Sequence, residues 1–202
     1  MGASSTMNPV HKDLLTMILQ FLRDEDLKDT AHALERETGI FFDAKHFEIM
    51  VLQGKLDEAE SYISGFTNVH ENLDSTRIFF ELRKQKFLEA LDRQDRPKAL
   101  EILMKDFKDF SNYNEKLLMD ATVLLTMEDF RKYGALCRYG DVKIERIYMM
   151  DALKKFISDN PVFKGKMHPP AGRNAALLRL LVRGDNEGSA SKAMDLSFSS
   201  GC

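Results

Sequence analysis

Apolar residues recur at spacings of three and four through most of this 202-residue chain, and this pattern limits its fold more than any other feature. Good helix formers fill the positions between them, and no stretch convincingly predicts a strand. We therefore predict an all-α protein of about nine or ten helices in a compact antiparallel array. The predicted helices span residues 11–22, 25–38, 43–53, 56–65, 74–94, 97–109, 114–124, 127–138, 141–158 and 173–183.

Side-chain acceptors and glycines support these boundaries. An acid precedes and a glycine follows the second and third predicted helices, and the pairs are Asp24 with Gly39 and Asp43 with Gly54. Such pairs supply an N-cap at the start and a residue that tolerates left-handed backbone at the end. Asp95 with Pro97 opens the sixth helix, and Asn160 followed by Pro161 ends the ninth. Loops this short favour antiparallel neighbours.

Composition narrows the function classes. The net charge is −3, with acids and bases interspersed, so we expect no direct nucleic-acid partner. The only cysteines, Cys137 and Cys202, fit a reducing compartment, and we interpret Cys137 as a small buried group on a helix. No apolar run approaches the roughly 20 residues of a membrane span, and no secretory signal is recognisable. We expect a soluble intracellular protein without a membrane partner.

Nothing in the sequence predicts catalysis. The five histidines are scattered singly, without metal-ligand spacing, and no glycine-rich phosphate loop lies near them. We therefore predict no catalytic residues, no metal ligands and no cofactors, and expect a protein that is not an enzyme.

The first predicted helix is apolar on nearly all sides. Its segment LLTMILQFL leaves almost no polar face, yet a helix near a chain end is usually covered on one side only. We predict that it pairs with a second copy, and the candidate dimerisation residues are Leu15, Ile18, Leu19, Leu22 and Leu34. Burying each large apolar side chain contributes about 1.5–3 kcal/mol. The alternative is that later helices of the same chain cover this surface.

Two adjacent rings, Phe79 and Phe80, point about 100° apart if residues 74–94 form a helix. Phe79 then shares a core face with apolar neighbours. Phe80 lies between Arg77 and Lys84, which suits the floor of a groove that takes an apolar, acid-flanked ligand. The pattern alone favours the alternative that Phe80 packs under another helix, with the cationic stems lying across it.

Longer segments resemble known families. LLTMILQFLRDEDLKDTAHALERETG resembles the LisH dimerisation motif, FEIMVLQGKLDEAESYISGF resembles the CTLH segment, and the helices after them correspond to a CRA-type region. MILQFL, FFELRKQKFLEALDRQDRPKALEIL and YGD are similar to the N-terminal domain of the plant Topless and Topless-related transcriptional corepressors, over residues 12–182. The implied organisation is a flexible N-terminus (1–10), a LisH hairpin (11–42), a CTLH region (43–98), a CRA-like region (99–183) and a disordered tail (184–202).

This resemblance implies a function. It implies a nuclear corepressor module of plant hormone signalling that binds EAR repression motifs, of the form Leu-x-Leu-x-Leu, on transcriptional repressors and adaptors. The implied groove residues are Phe80, Phe110, Leu117, Leu124 and Leu136, with Phe156 where leucine is usual and with Arg77 and Lys84 at a basic rim. LisH pairing implies a dimer, and the family implies a homotetramer through a second contact around helix 114–124.

The sequence also departs from the family pattern. Leu73 and Asp74 stand where the family has Arg and Tyr, which should weaken attraction for acid-flanked peptides. In the tail, residues 194–198 (MDLSF) alternate apolar and polar side chains, so one hypothesis makes them a pseudo-ligand for the groove of the same molecule or of a neighbouring one. A second functional class also stays open. A scaffold subunit of a CTLH-type ubiquitin ligase complex would contain the same three regions without needing a leucine-peptide groove.

Overall fold

The computed structural model describes residues 9–113 and 115–168, and within them the prediction of an all-α chain is confirmed. These residues form eight α-helices and no strand, fewer helices than predicted. The helices are α1 (Pro9–Asp24), α2 (Lys28–Thr38), α3 (Ala44–Gln53), α4 (Leu56–Ile63), α5 (Leu73–Asp92), α6 (Arg96–Lys105), α7 (Glu115–Thr126) and α8 (Val142–Asp159). The predicted helix 173–183, the tail 184–202 with its segment 194–198, and residues 1–8 of the predicted flexible N-terminus lie outside the described residues.

Residues 9–35 and residues 36–167 belong to two different structural units. In the first unit, α1 and α2 form a hairpin whose ion pairs meet at the buried Glu35. Arg23 lies 3.0 Å from its carboxylate and His32 lies 2.9 Å from it. The predicted boundary at Asp24 is wrong, because α1 continues through Asp24 and the turn follows it, with Asp26 in the left-handed region at φ 57°.

The candidate dimerisation residues differ in exposure. Ile18 is exposed and Leu19 is fully buried, whereas Leu15, Leu22 and Leu34 are half-buried. Leu14 and Phe21 are further exposed apolar side chains of α1. The exposed apolar surface of α1 is therefore formed mainly by Leu14, Ile18 and Phe21.

In the second unit, α5 packs against α8, α6 and α4, and α3 packs against α4 and α8. Aromatic rings fill the core between α3, α4 and the short 3-10 helix Pro161–Phe163. Phe42 lies at their centre, with ring centroids 4.8 Å from Phe163 and 5.1 Å from Phe66 in edge-to-face geometry. Such geometry matches the positive edge of one ring to the negative face of another.

Most predicted helix boundaries follow from local chemistry. The Asp43 carboxylate accepts hydrogen bonds from the amides of Lys45 and His46, and Gly54 ends α3 at φ 78°. The Asp95 carboxylate accepts from the Lys98 amide at the start of α6. These contacts satisfy amide groups that a helix start leaves without a backbone partner.

The predicted helix 127–138 is wrong. The segment forms two short 3-10 helices, Phe130–Lys132 and Gly134–Leu136. Asp129 caps the first by accepting from the Arg131 amide, and Tyr133 between them is extended, with ψ 122°. Cys137 is exposed, so the prediction of a small buried group on a helix is also wrong. Local capping overrides the apolar spacing that favoured a continuous helix here.

A buried polar network joins α5 to α8. The Glu89 carboxylate accepts two hydrogen bonds from Arg146, at 2.8 and 2.7 Å, and a third from the Gln85 amide at 3.0 Å. Gln85 also donates to the Tyr139 hydroxyl. Burial raises the pKa of Tyr139 to about 12, so this hydroxyl stays neutral at physiological pH. The Glu89 carboxylate thus joins α5 to α8 directly, and Gln85 joins α5 to Tyr139 just before α8.

Candidate binding cleft

An open, mostly apolar cleft of about 200 Å³ lies between α5 and α7. The α5 side chains come from its first two turns, and the opposite wall comes from the segment that joins α6 to α7 and from the first turn of α7. The lining residues are Leu73, Thr76, Arg77, Phe80, Phe110, Tyr113 and Leu117. Four of them, Arg77, Phe80, Phe110 and Leu117, are among the residues that the sequence predicted for a peptide site.

Phe80 and Phe110 form the aromatic floor of this cleft. Their ring centroids are 5.4 Å apart with an interplanar angle of 86°, and Phe80 is half-buried. Phe79, its neighbour in sequence, is buried in the core. The helical geometry of α5 therefore sends one ring inward and leaves the other at a cleft that is open to solvent.

The cleft is lined almost entirely by carbon. The Thr76 hydroxyl donates to the Val69 carbonyl at 2.7 Å, a bond to the protein's own backbone. Phe80, Phe110 and Leu117 contribute no hydrogen-bonding side-chain group. A ligand seated here gains by burying apolar surface, whereas its polar groups remain at the rim.

Two cations border the cleft. The Arg77 guanidinium lies 5.7 Å from the ring centroid of Phe156, and the Lys84 ammonium lies 5.5 Å from the ring centroid of Phe80. Lys84 and Phe156 therefore contact residues of the cleft without forming part of its lining. Each cation also has an acidic partner three residues earlier on α5, Asp74 for Arg77 and Glu81 for Lys84.

Arg83 holds the 3-10 helix that carries Phe110. This helix spans Phe107–Phe110 and follows α6. Arg83 donates to the Asp106 carbonyl at 2.8 Å and to the Asp109 carboxylate at 2.7 Å, and it pairs with Glu60 on the other side. Burial acts to lower the pKa of Arg83, but the hydrogen bond to Asp109 and the charge of Glu60 outweigh it, so the pKa is raised. Its guanidinium lies 5.4 Å from the Phe110 ring centroid.

A second set of polar contacts fixes the other end of the cleft. Asn72 caps α5 by accepting from the Ser75 amide and donates to the Asn160 side chain at 3.0 Å. Asn160 in turn donates to the Ser75 hydroxyl, which also hydrogen-bonds to Thr67. Because Leu73 directly follows Asn72, this buried network sets the position of the first cleft residue of α5.

Besides Lys84 and Phe156, two more of the predicted residues do not line this cleft. Leu124 is buried in the core, two turns beyond Leu117 on the same helix, and Leu136 is half-buried against the core. Their contact with a ligand stays a prediction. Conversely, the sequence analysis did not single out Thr76 or Tyr113. Tyr113 lies just beyond the 3-10 helix, where helical periodicity gives no signal, and its ring stacks on that of His70 at 6.2 Å.

The sequence of this chain is similar to that of known proteins. The family described as TPR1-like, CTLH-containing domain matches residues 43–167. Over 175 residues, 87% of this chain, the sequence is 50% identical to Protein TOPLESS of Arabidopsis thaliana and 49% identical to Protein TOPLESS-RELATED PROTEIN 2 of Oryza sativa subsp. japonica. Over 151 residues, 73% of this chain, it is 22% identical to a WD repeat-containing protein of Dictyostelium discoideum.

The chain spans only part of each relative. It covers 16% of the Arabidopsis protein, 15% of the rice protein and 25% of the Dictyostelium protein. The region compared is thus a small share of each relative's length. In the part of this chain that the structure describes, no helix is both long and apolar enough to cross a bilayer.

Proposed function

This chain belongs to the TPR1-like, CTLH-containing domain family, and from that premise we propose that it is an oligomeric, non-enzymatic corepressor module of the nucleus. The module recruits transcriptional repressors and adaptors by binding their EAR-type Leu-x-Leu-x-Leu motifs. The observation that carries this proposal is the open cleft floored by Phe80 and Phe110, with Leu117 on its wall and Arg77 at its rim.

An extended peptide of alternating leucines matches such a cleft. In an extended strand, every second side chain points to the same side, so the leucines enter the cleft together and the residues between them face the rim. The cleft has room for side chains rather than for a whole drug-sized ligand, whose sites are usually larger. Two or three buried leucines contribute about 3–9 kcal/mol before the cost of ordering the peptide, so we expect a single motif to bind with an affinity weaker than about micromolar.

Replacing Phe80 with glutamine tests the proposal. We expect Phe80→Gln to weaken binding of a Leu-x-Leu-x-Leu peptide by about 10- to 100-fold, because the ring's buried surface contributes about 1.5–3 kcal/mol. Isothermal titration calorimetry gives the dissociation constants. Tyr148→Gln removes an exposed ring of α8 and should leave them unchanged.

The unaltered protein distinguishes the two functional classes. If it binds no leucine-repeat peptide, the corepressor proposal fails, and the alternative of a scaffold subunit in a CTLH-type ubiquitin ligase complex gains support. Peptide binding that is identical for the unaltered protein and Phe80→Gln would show that the ligand binds elsewhere.

Self-association completes the proposed function. Weak peptide contacts gain avidity when several clefts act together, provided that the peptides can span them. We propose that the exposed residues Leu14, Ile18 and Phe21 of α1 pair with the same helix of a second copy. A second contact through α7, where Met119 and Val123 are exposed, would extend the dimer to a tetramer.

Light scattering tests this assembly. Ile18→Asp places a charge in the apolar α1 interface. It should therefore lower the measured mass to that of a smaller species that lacks the α1 contact. Thr30→Asp, on the exposed surface of α2, is the matched control and should leave the mass unchanged. Met119→Asp should reduce a tetramer to a dimer. A monomeric unaltered protein at all concentrations would contradict both contacts.

A further inference from the structure

We propose that Asp74 sets the ligand preference of the cleft by holding Arg77 in an ion pair, so that leucine-repeat peptides with uncharged intervening residues are bound as well as acidic ones. This inference rests on the proposed function and names the ligand class of the same site. It makes Asp74 a specificity determinant that need not itself touch the leucines.

Asp74 and Arg77 form a pair within the first two turns of α5. An Asp74 carboxylate oxygen lies 3.2 Å from an Arg77 guanidinium nitrogen, at the i, i+3 spacing that places both on one helix face. The Arg77 side chain is 50% exposed and that of Asp74 24% exposed. The guanidinium is thus within reach of a ligand, but one carboxylate already neutralises it.

A ligand carboxylate would meet this pair at a cost. To contact Arg77, it must displace Asp74, which breaks the existing ion pair, or share the guanidinium with it, which brings two like charges close together. An uncharged glutamine or serine of a ligand can accept or donate a hydrogen bond at the same place without this repulsion. Asp74 therefore removes most of the advantage that Arg77 alone would give to an acidic peptide.

Leu73 also reduces the preference for acidic peptides. It lines the cleft beside Arg77 with 58% of its surface exposed, so this end offers an apolar contact. At the other end, Lys84 is paired with Glu81 in the same way, 2.5 Å apart. The two rim cations with their acidic partners form two neutral pairs, and ligand binding depends mainly on the leucines.

An exposed ion pair typically changes an equilibrium constant by about 1.5- to 5-fold, and this range sets the expected size of the effect. We expect a change of about three-fold on removing the Asp74 charge. Added salt should reduce it, since the screening length falls from about 10 Å at 0.1 M to about 3 Å at 1 M.

The test compares two peptides on the same protein. Leu-Glu-Leu-Glu-Leu and Leu-Gln-Leu-Gln-Leu are titrated by calorimetry against the unaltered chain and Asp74→Asn. We expect Asp74→Asn to bind the glutamate peptide about three-fold more tightly and the glutamine peptide with unchanged affinity. Because the ratio of the two affinities is taken on one variant, a change in folding stability cancels. Asp151→Asn removes an exposed acid of α8 and should leave the ratio unchanged.

Three results would overturn the inference in different ways. An equal ratio in the unaltered chain and Asp74→Asn, with both peptides bound, refutes the role of Asp74 and leaves the proposed function intact. Failure of both peptides to bind either protein refutes the proposed function and, with it, this inference. A ratio that Asp151→Asn shifts as much as Asp74→Asn assigns the effect to net charge and likewise refutes the role of Asp74.

Discussion

Replacing Arg83 with methionine should lower the free energy of unfolding by about 3 kcal/mol and weaken leucine-peptide binding by about ten-fold. Methionine preserves much of the side-chain volume but removes the charged hydrogen bonds to Glu60, Asp106 and Asp109. Hydrogen bonds to charged groups contribute about 1.5–3 kcal/mol, and the Arg83 side chain is only 10% exposed. Binding weakens because these bonds fix the 3-10 helix that carries Phe110.

Denaturant unfolding and peptide titration below the unfolding transition measure the two effects separately. Arg93→Met is the matched control, since Arg93 is an exposed arginine directly after α5 with a single 3.7 Å pair to Glu89, and it should change both quantities little. Arg83→Lys should fall between Arg83→Met and the unaltered protein, because lysine keeps the charge but has one nitrogen where Arg83 donates from both Nε and Nη1. Full peptide affinity in a destabilised Arg83→Met protein would contradict a positioning role for Arg83.

Glu89→Gln should be at least as destabilising, with a loss of about 3–5 kcal/mol in the free energy of unfolding. The substitution keeps the shape of the side chain but leaves the largely buried Arg146 without its bidentate carboxylate. Removing one partner of a buried ion pair typically costs this much, because the remaining charge stays desolvated. Peptide affinity measured on the folded fraction should be unchanged, since Glu89 does not line the cleft.

Glu101→Gln is the matched control for this variant. Hydrogen bonds from Lys105 and Lys98 lower the pKa of Glu101 to about 2, so it is charged at neutral pH as an ion-pair partner must be. Its pairs are exposed to solvent, and their loss should have little effect on unfolding. Equal destabilisation by Glu89→Gln and Glu101→Gln would contradict the importance assigned to burial.

Helix positions could be predicted where sequence and local structure agree. Asp43 with Gly54, and Asp95 with Pro97, mark boundaries by hydrogen bonds and backbone geometry that depend only on nearby residues. The segment 127–138 shows the limit of this reasoning. Its apolar spacing fits a helix, but Asp129, Tyr133 and Gly134 favour turns, and the packing of Phe130 against Tyr139 stabilises them. Such competition cannot be resolved from periodicity alone.

Only part of the cleft could be predicted from the sequence. The separation of Phe79 from Phe80 follows from helix geometry, and the resemblance to a known family supplied Phe110 and Leu117. The ion pair between Asp74 and Arg77 is local and could have been inferred from its spacing. Tyr113 and the support from Arg83 could not, because they depend on how the segment between α6 and α7 turns back over α5, which no local pattern specifies.

The walls of the cleft come from parts of the chain about 40 residues apart, with Leu73 to Phe80 on one side and Phe110 to Leu117 on the other. During synthesis, the cleft cannot exist until the later segment has emerged and packed against the earlier one. Unfolded molecules therefore have no such site, and any ligand of the cleft draws the folding equilibrium towards the native state by mass action. A saturating peptide should act as a thermal protectant, and melting temperature becomes a simple readout of occupancy.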